Sequence, residues 1–269
     1  MPVFRSPLLD KPWEEDFDFY FSESMKARLV ITVDLGAGEL APLPTHPLRL
    51  QARITMQSPR ADGLRQLGEA DALFDLEDRL VERLSRVMPL LYVGRTVAVG
   101  DVTLVWYAPR TAEAQLEELT DVVTLERGDY EVHLSLAQDP EWAFYGDFLF
   151  PDVYNLQVML NRRRLMTLAE HGDDGSMVRD LEHLAYFESQ DRAEEAAKRL
   201  SGAGFDVDLP VVEEVSSPDA DLSWILSFNR EDVLADGRVD EVCIEILDLI
   251  LDLEGYYDGW GVRLMGRGA

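Results

Sequence analysis

The stretch VRDLEHLAYFESQDRAEEAAKRLSGAGFDVDLP, residues 178–210, changes its period midway. A strand is expected over about 178–187. From Asp191 to Ala203, Ala193, Ala196, Ala197 and Leu200 recur at helical spacing and define one inward stripe. Gly204 ends that helix. Downstream, strands are expected at 205–215 and 221–229, with Pro218 in the turn between them. A long helix over 239–254 follows, with Val242, Ile246, Leu249, Ile250 and Leu253 on its buried side, and then a last strand over 260–264. This βαββαβ order is the split-βαβ or ferredoxin-like arrangement, in which two helices cover one side of a four-stranded antiparallel sheet. A helix from about Val153 to Glu170 leads into it, and Gly172 is placed to stop that helix.

The first half is richer in strand signals. FDFYF at 17–21, RLVITVDL at 28–35, LRLQARITM at 48–56, LLYVGRTVAVG at 90–100 and DVTLVWYA at 101–108 are expected strands, and Glu131–Leu136 is the last. Leu73, Leu76, Leu80, Leu84 and Val87 mark a helix over 71–87. Thr111 is a candidate N-cap for a second helix running to Thr120, with Leu116 and Leu119 inward. The aromatic, proline-bounded segment DPEWAFYGDFLFP at 139–151 is expected to close the end of this core. The reading is therefore α+β, two α/β-sandwich domains with boundaries 1–151 and 152–269.

Composition narrows the function classes. Against 25 Lys+Arg stand 52 Asp+Glu, a formal net charge of -27 over 269 residues. Such a field repels phosphate backbones, so strong direct nucleic-acid binding is not expected and a protein partner with a basic surface is. Cys243 is the only cysteine, which excludes an internal disulfide and a cysteine-rich metal site. The start of the chain lacks the basic-then-apolar order of a signal peptide, and even ILDLILDL at 246–253 carries two aspartates. A cytoplasmic location without a membrane is the expectation.

Chemistry-bearing patterns are sparse. His46, His133, His171 and His183 have no metal-ligand spacing, Asp173-Asp174 lacks the ligand order of a calcium loop, and no lysine follows the nearby glycines as a phosphate loop requires. Glu182 and Asp258 could be paired for acid–base work, but carboxylates are so abundant that the pairing carries little. No catalytic residue, cofactor or metal is assigned. Arg162-Arg163-Arg164 is expected to pair with carboxylates and hold the junction of the two halves. The segment GYYDGWGVRL at 255–264 combines freely turning glycines with large rings. It reads either as a braced helix-to-strand corner or as an aromatic hot spot for a partner.

Four elements in order carry a resemblance: Asp174-Gly175-Ser176, Leu181-Glu182-His183, Gly204-Phe205 and Tyr257-Asp258-Gly259-Trp260-Gly261. On these, the stretch from Arg163 to Leu264 resembles the ribonuclease E activity regulator B family. Family members often carry a second histidine after the first; here Leu184 stands there. The first half, through the aromatic strand after Trp13, the Ser58-Pro59 to Asp62-Gly63 turn and the Asp139-Pro140-Glu141-Trp142 and Tyr145 cluster, resembles domain of unknown function 695. The resemblance implies a ferredoxin-like second domain and a non-catalytic regulator of RNA turnover, an inhibitor of an endoribonuclease through protein contact. The alternatives from the residues alone are an enzyme with an acidic cleft and a structural assembly module, and a homo-oligomer stays open. The candidate interaction residues are Glu182, His183, Asp252, Glu254, Tyr256, Tyr257, Asp258 and Trp260. In that reading the carboxylates steer encounter, and exposed rings of Tyr257 or Trp260 anchor the partner.

Overall fold

Alternation of apolar residues along the first-half strands produces a six-stranded antiparallel sheet in the computed structural model, which describes residues 11–24, 27–213, 223–235 and 237–262. By contacts the chain divides into two units, residues 1–151 and 152–269. In the first unit the strands are β1 (Phe17–Ser24), β2 (Ala27–Asp34), β3 (Leu48–Thr55), β4 (Leu91–Ala98), β5 (Asp101–Ala108) and β6 (Glu131–Gln138), arranged β1-β2-β4-β5-β3-β6. Helices α1 (Leu67–Val87) and α2 (Ala112–Glu126) press Leu73, Leu76, Leu80, Leu84, Leu119 and Val123 onto Leu50, Ile54, Leu104 and Trp106 of one sheet face. The helix α2 outruns the expected stop at Thr120. Its Thr120 and Thr124 hydroxyls bond carbonyls four residues back, and Val123 extends the buried stripe.

The aromatic segment 139–151 does close a core, as a π-helical turn, Phe144–Leu149, set between Trp142 and Phe150. Trp142 stacks on Tyr107 at 3.8 Å between centroids and donates its indole N–H to the His46 carbonyl. The Tyr145 hydroxyl donates to the Asp34 carbonyl, and the Tyr107 hydroxyl to Asp139. A separate ionic cluster joins α1 to β4: Glu77 accepts two bonds from Arg95 and one from the Tyr92 hydroxyl.

The second unit opens with helix α3 (Val153–Glu170), capped by the Asp152 carboxylate on the Asn155 amide. Then come β7 (Arg179–Phe187), α4 (Gln190–Gly202), β8 (Asp206–Val207), β9 (Val212–Glu213), β10 (Trp224–Asp232), α5 (Arg238–Ile250) and β11 (Tyr256–Gly261). The strands lie in the order β11-β7-β10-β8, with β9 also on β10 and every pairing antiparallel. Leu181, Ala185, Phe187, Leu226 and Phe228 point from the sheet into a core completed by the alanine stripe of α4 and by Val242, Ile246 and Ile250 of α5.

Three boundaries differ from the sequence reading. The strand expected over 205–215 is two short pieces, because Pro210, which follows a cis bond from Leu209, offers no N–H to a ladder. Its end at 214–215, the turn at Pro218, and residues 221–222 lie outside the described residues. The last strand begins at Tyr256 rather than 260, so the aromatic segment is itself a strand and not a corner before one; its expected continuation to 264 also lies outside the described residues. The helix ends at Ile250 and a 3-10 turn, Leu251–Leu253, carries the chain to Glu254, whose φ is 53°. Among the described residues no helix is long and apolar enough to cross a membrane.

Candidate functional site

The two sides of the second sheet differ sharply in chemistry. Strand alternation sends Leu181, His183, Ala185 and Phe187 inward, and therefore Asp180, Glu182, Leu184 and Tyr186 outward. Register carries the pattern to β10, where Tyr186 lies opposite Ile225, Leu184 opposite Ser227, Glu182 opposite Asn229 and Asp180 opposite Glu231. Asp206 lies opposite Asn229 on the next strand, and Tyr256 opposite Tyr186 on the other side. The outer face thus grades from an apolar end, where the Tyr186 and Tyr256 rings sit 6.4 Å apart, to an acidic end. A depression of about 500 Å³ runs along it, lined by Asp180, Glu182, Leu184, Asp208, Asn229 and Asp258 among others.

Carboxylates outnumber cations on this face, where Arg164 is the basic residue lining the depression. Asp180, Glu182, Asp206, Asp208, Glu231 and Asp258 are exposed, and none is in an ion pair among the described residues. Among the described residues, the Asp180 carboxylate accepts from the Asn229 amide, at 2.7 Å. Five of the unit's arginines are engaged elsewhere: Arg179 with Asp173, Arg192 with Glu188 and Glu254, Arg199 with Glu195 and Asp252, Arg230 with Asp232 and Glu245, and Arg238 with Asp232 and Glu241.

Beneath the sheet lies a connected set of buried polar groups. Asn161 of α3 is fully buried, and its Oδ1 accepts from Trp260 Nε1 at 2.7 Å, Gln157 Nε2 at 2.8 Å and the Cys243 thiol at 3.7 Å. Its Nδ2 donates to Asp240. With the thiol proton on Asn161, the Tyr257 hydroxyl donates to Cys243 Sγ at 3.5 Å, and His183 Nδ1 donates to Tyr257 Oη at 2.7 Å. The other ring nitrogen of His183, Nε2, is buried and has no hydrogen-bond partner among the described residues. Burial first, and Arg230 second, lower the His183 pKa to about 4, so the ring is neutral at pH 7. Burial likewise raises the Cys243 pKa and keeps the thiol protonated.

The candidate residues therefore separate into three groups. Glu182 and Asp258 line the depression on the outer face, and Tyr256, 55 % exposed, lies at the apolar end of the same face. Asp252 and Glu254 are turned to α4 and bound by Arg199 and Arg192. His183, Tyr257 and Trp260 are inside, at 3 %, 6 % and 5 % exposure. The expectation that a Tyr257 or Trp260 ring anchors a partner is corrected by that burial: both rings belong to the core. Arg164 also departs from its expected pairing with carboxylates. Its guanidinium donates to the carbonyls of Trp260 and Asp258, two residues apart on the outer edge of β11, and lies 5.7 Å from the Trp260 ring centroid. Unpaired backbone along a sheet edge invites further strands, so this contact blunts the edge. Gly259 is required beneath it, since its φ is +100° and a Cβ would approach Arg164 Nη1 to 2.8 Å.

Sequence reading missed Asp180, Asp206, Asp208 and Glu231. The alternation within β7 and β10 was the available signal for Asp180 and Glu231. Asp206 and Asp208 join the face only through the long-range pairing of β8 with β10. Among the described residues no three His, Cys, Asp or Glu side chains converge as a metal-binding set.

Residues 15–150 match the model of a family of unknown function, DUF695, and residues 159–262 match that of Regulator of ribonuclease activity B. No curated protein sequence matches the chain. A crystal structure of an unknown protein from Galdieria sulphuraria aligns at 10 % identity over 80 % of this chain and 99 % of that one; its TM-score of 0.22 carries no argument about function or fold.

Proposed function

The chain belongs to the family of unknown function DUF695, and from that premise we propose that its second unit makes it a non-catalytic regulator of a ribonuclease. The observation that carries the reading is the match of residues 159–262 to Regulator of ribonuclease activity B, which falls within the second unit. Physical features support the same reading. Regulation by contact needs a surface that recognises the enzyme and not its RNA. The outer sheet face presents six exposed carboxylates without ion-pair partners among the described residues, which repel RNA and favour the basic surface that an RNA-binding enzyme must carry.

Steering by such a face raises the rate of encounter, while Tyr256 beside it offers apolar area to hold the complex. The buried Trp260, Tyr257 and Asn161 set the shape of the face from below and make no contact with the partner. The test is a cleavage assay with a ribonuclease E-type endoribonuclease and a fluorogenic RNA, with and without the full chain, together with sedimentation of the mixture. The reading expects a slower cleavage rate and a protein–protein complex that forms without RNA. An unchanged rate with no complex sinks it.

A further inference from the structure

The layout of the outer face specifies the chemistry of what covers it, on the reading that this face is the regulatory surface. Like charges directly opposite on neighbouring strands destabilise a sheet, yet Asp180 lies opposite Glu231 with Glu182 two residues along. None of these three is in an ion pair among the described residues, and Arg164, which lines the same depression, is held by the backbone carbonyls of Trp260 and Asp258. The carboxylates follow strand register and do not converge as a metal-binding set. Side chains two apart on a strand repeat at about 6.6 Å, as do alternate side chains of any second extended chain. A helix, with about 5.4 Å per turn, falls out of step within two repeats.

The apolar end sets a further requirement. Exposed Tyr256, beside Tyr186 and in the same row as Ile225, presents an aromatic ring two residues along β11 from Asp258. A planar guanidinium stacks on such a ring and forks onto a carboxylate, whereas an ammonium is a strongly hydrated point charge. We propose that the outer face of the second sheet holds an extended arginine-bearing segment of the partner. Guanidinium groups at alternate positions meet the Asp180–Glu231 pair, Glu182 and Asp258, and one of them stacks on Tyr256.

The test uses the full chain and a synthetic decapeptide of alternating arginine and serine, titrated by calorimetry at ~0.15 M salt, where exposed charges beyond about 8 Å are largely screened. Two further peptides share its length: alternating lysine and serine, and five arginines followed by five serines. The alternating arginine peptide is expected to bind at least fivefold more tightly than either. Combined Asp180→Asn, Glu182→Gln and Glu231→Gln is expected to weaken it at least tenfold, and Tyr256→Ala at least threefold. Neutralising three exposed carboxylates of α2, by Glu117→Gln, Glu118→Gln and Asp121→Asn, is expected to change affinity less than twofold. Equal weakening by the two triple variants overturns the proposal, because the overall charge would then account for binding. So does equal affinity for the three peptides, or no binding of the alternating arginine peptide. Any of those results alongside an intact effect on ribonuclease cleavage would refute this occupant and leave the regulatory reading on another surface.

Discussion

Replacing Asn161 by leucine probes the support of the candidate face at its centre. The side chains are similar in size, but leucine removes the one oxygen that accepts from both Trp260 Nε1 and Gln157 Nε2 inside the core. Each buried donor left without a partner costs ~1–3 kcal/mol, so two give ~2–6 kcal/mol, with the weak Cys243 thiol adding little. That is a large part of a typical domain's ~5–15 kcal/mol. Two separate units make a single melting curve ambiguous, so native-state hydrogen exchange resolved by peptide is the suitable assay. Protection should fall in β7, α5 and β11 and stay unchanged in the first unit's sheet. Trp260→Phe, which removes one of the stranded donors, should cost at least ~1 kcal/mol less in the Asn161→Leu background than alone. A loss below ~1 kcal/mol for Asn161→Leu, or strictly additive costs, would refute the description of Asn161 as the hub.

Four other single substitutions follow from individual positions. Glu77→Ala leaves Arg95 without its carboxylate in a largely buried position and should destabilise the first unit by ~3–5 kcal/mol, read from exchange in β4 and α1. For His183 the folded pKa of about 4 lies below the ordinary value of 6.5, so the unfolded chain binds more protons between those limits. Its contribution is complete above pH 6.5 and is lost as pH falls toward 4, about 3 kcal/mol in all. His183→Gln should flatten that part of the stability profile when denaturant midpoints are compared, and an unchanged slope would contradict the assignment. Gly259→Ala, forced to a positive φ against Arg164, should cost ~1–3 kcal/mol and raise exchange in β11. Tyr256→Ala, by contrast, should leave stability within ~0.5 kcal/mol.

Much of the fold was legible because strand and helix periods are local properties. The run Leu73 to Leu84 and the alanines of α4 each mark a buried stripe that the structure reproduces. Position 210 was legible only in part, since proline forbids a ladder bond but does not say where the chain resumes pairing. The site was harder to read. In YYDGW the rings look alike as letters, yet the register of β11 on β7, shifted by an irregularity between Tyr257 and Gly259, turns Tyr256 out and Tyr257 and Trp260 in. Gln157 and Asn161 look like exposed helix positions until the Trp260 indole from 99 residues later meets Asn161 in the core. Long-range pairing decided both cases, and no local pattern encodes it.

On the proposed reading, the carboxylates on the outer face of the second sheet act on a ribonuclease. Its most direct test is inhibition of endoribonuclease cleavage titrated with the wild-type chain and with the combined Asp180→Asn, Glu182→Gln and Glu231→Gln variant, both shown to be folded by circular dichroism. The account predicts that the variant needs at least tenfold more protein for half-inhibition, a change of about 1.4 kcal/mol. Equal inhibition by the two proteins would contradict it.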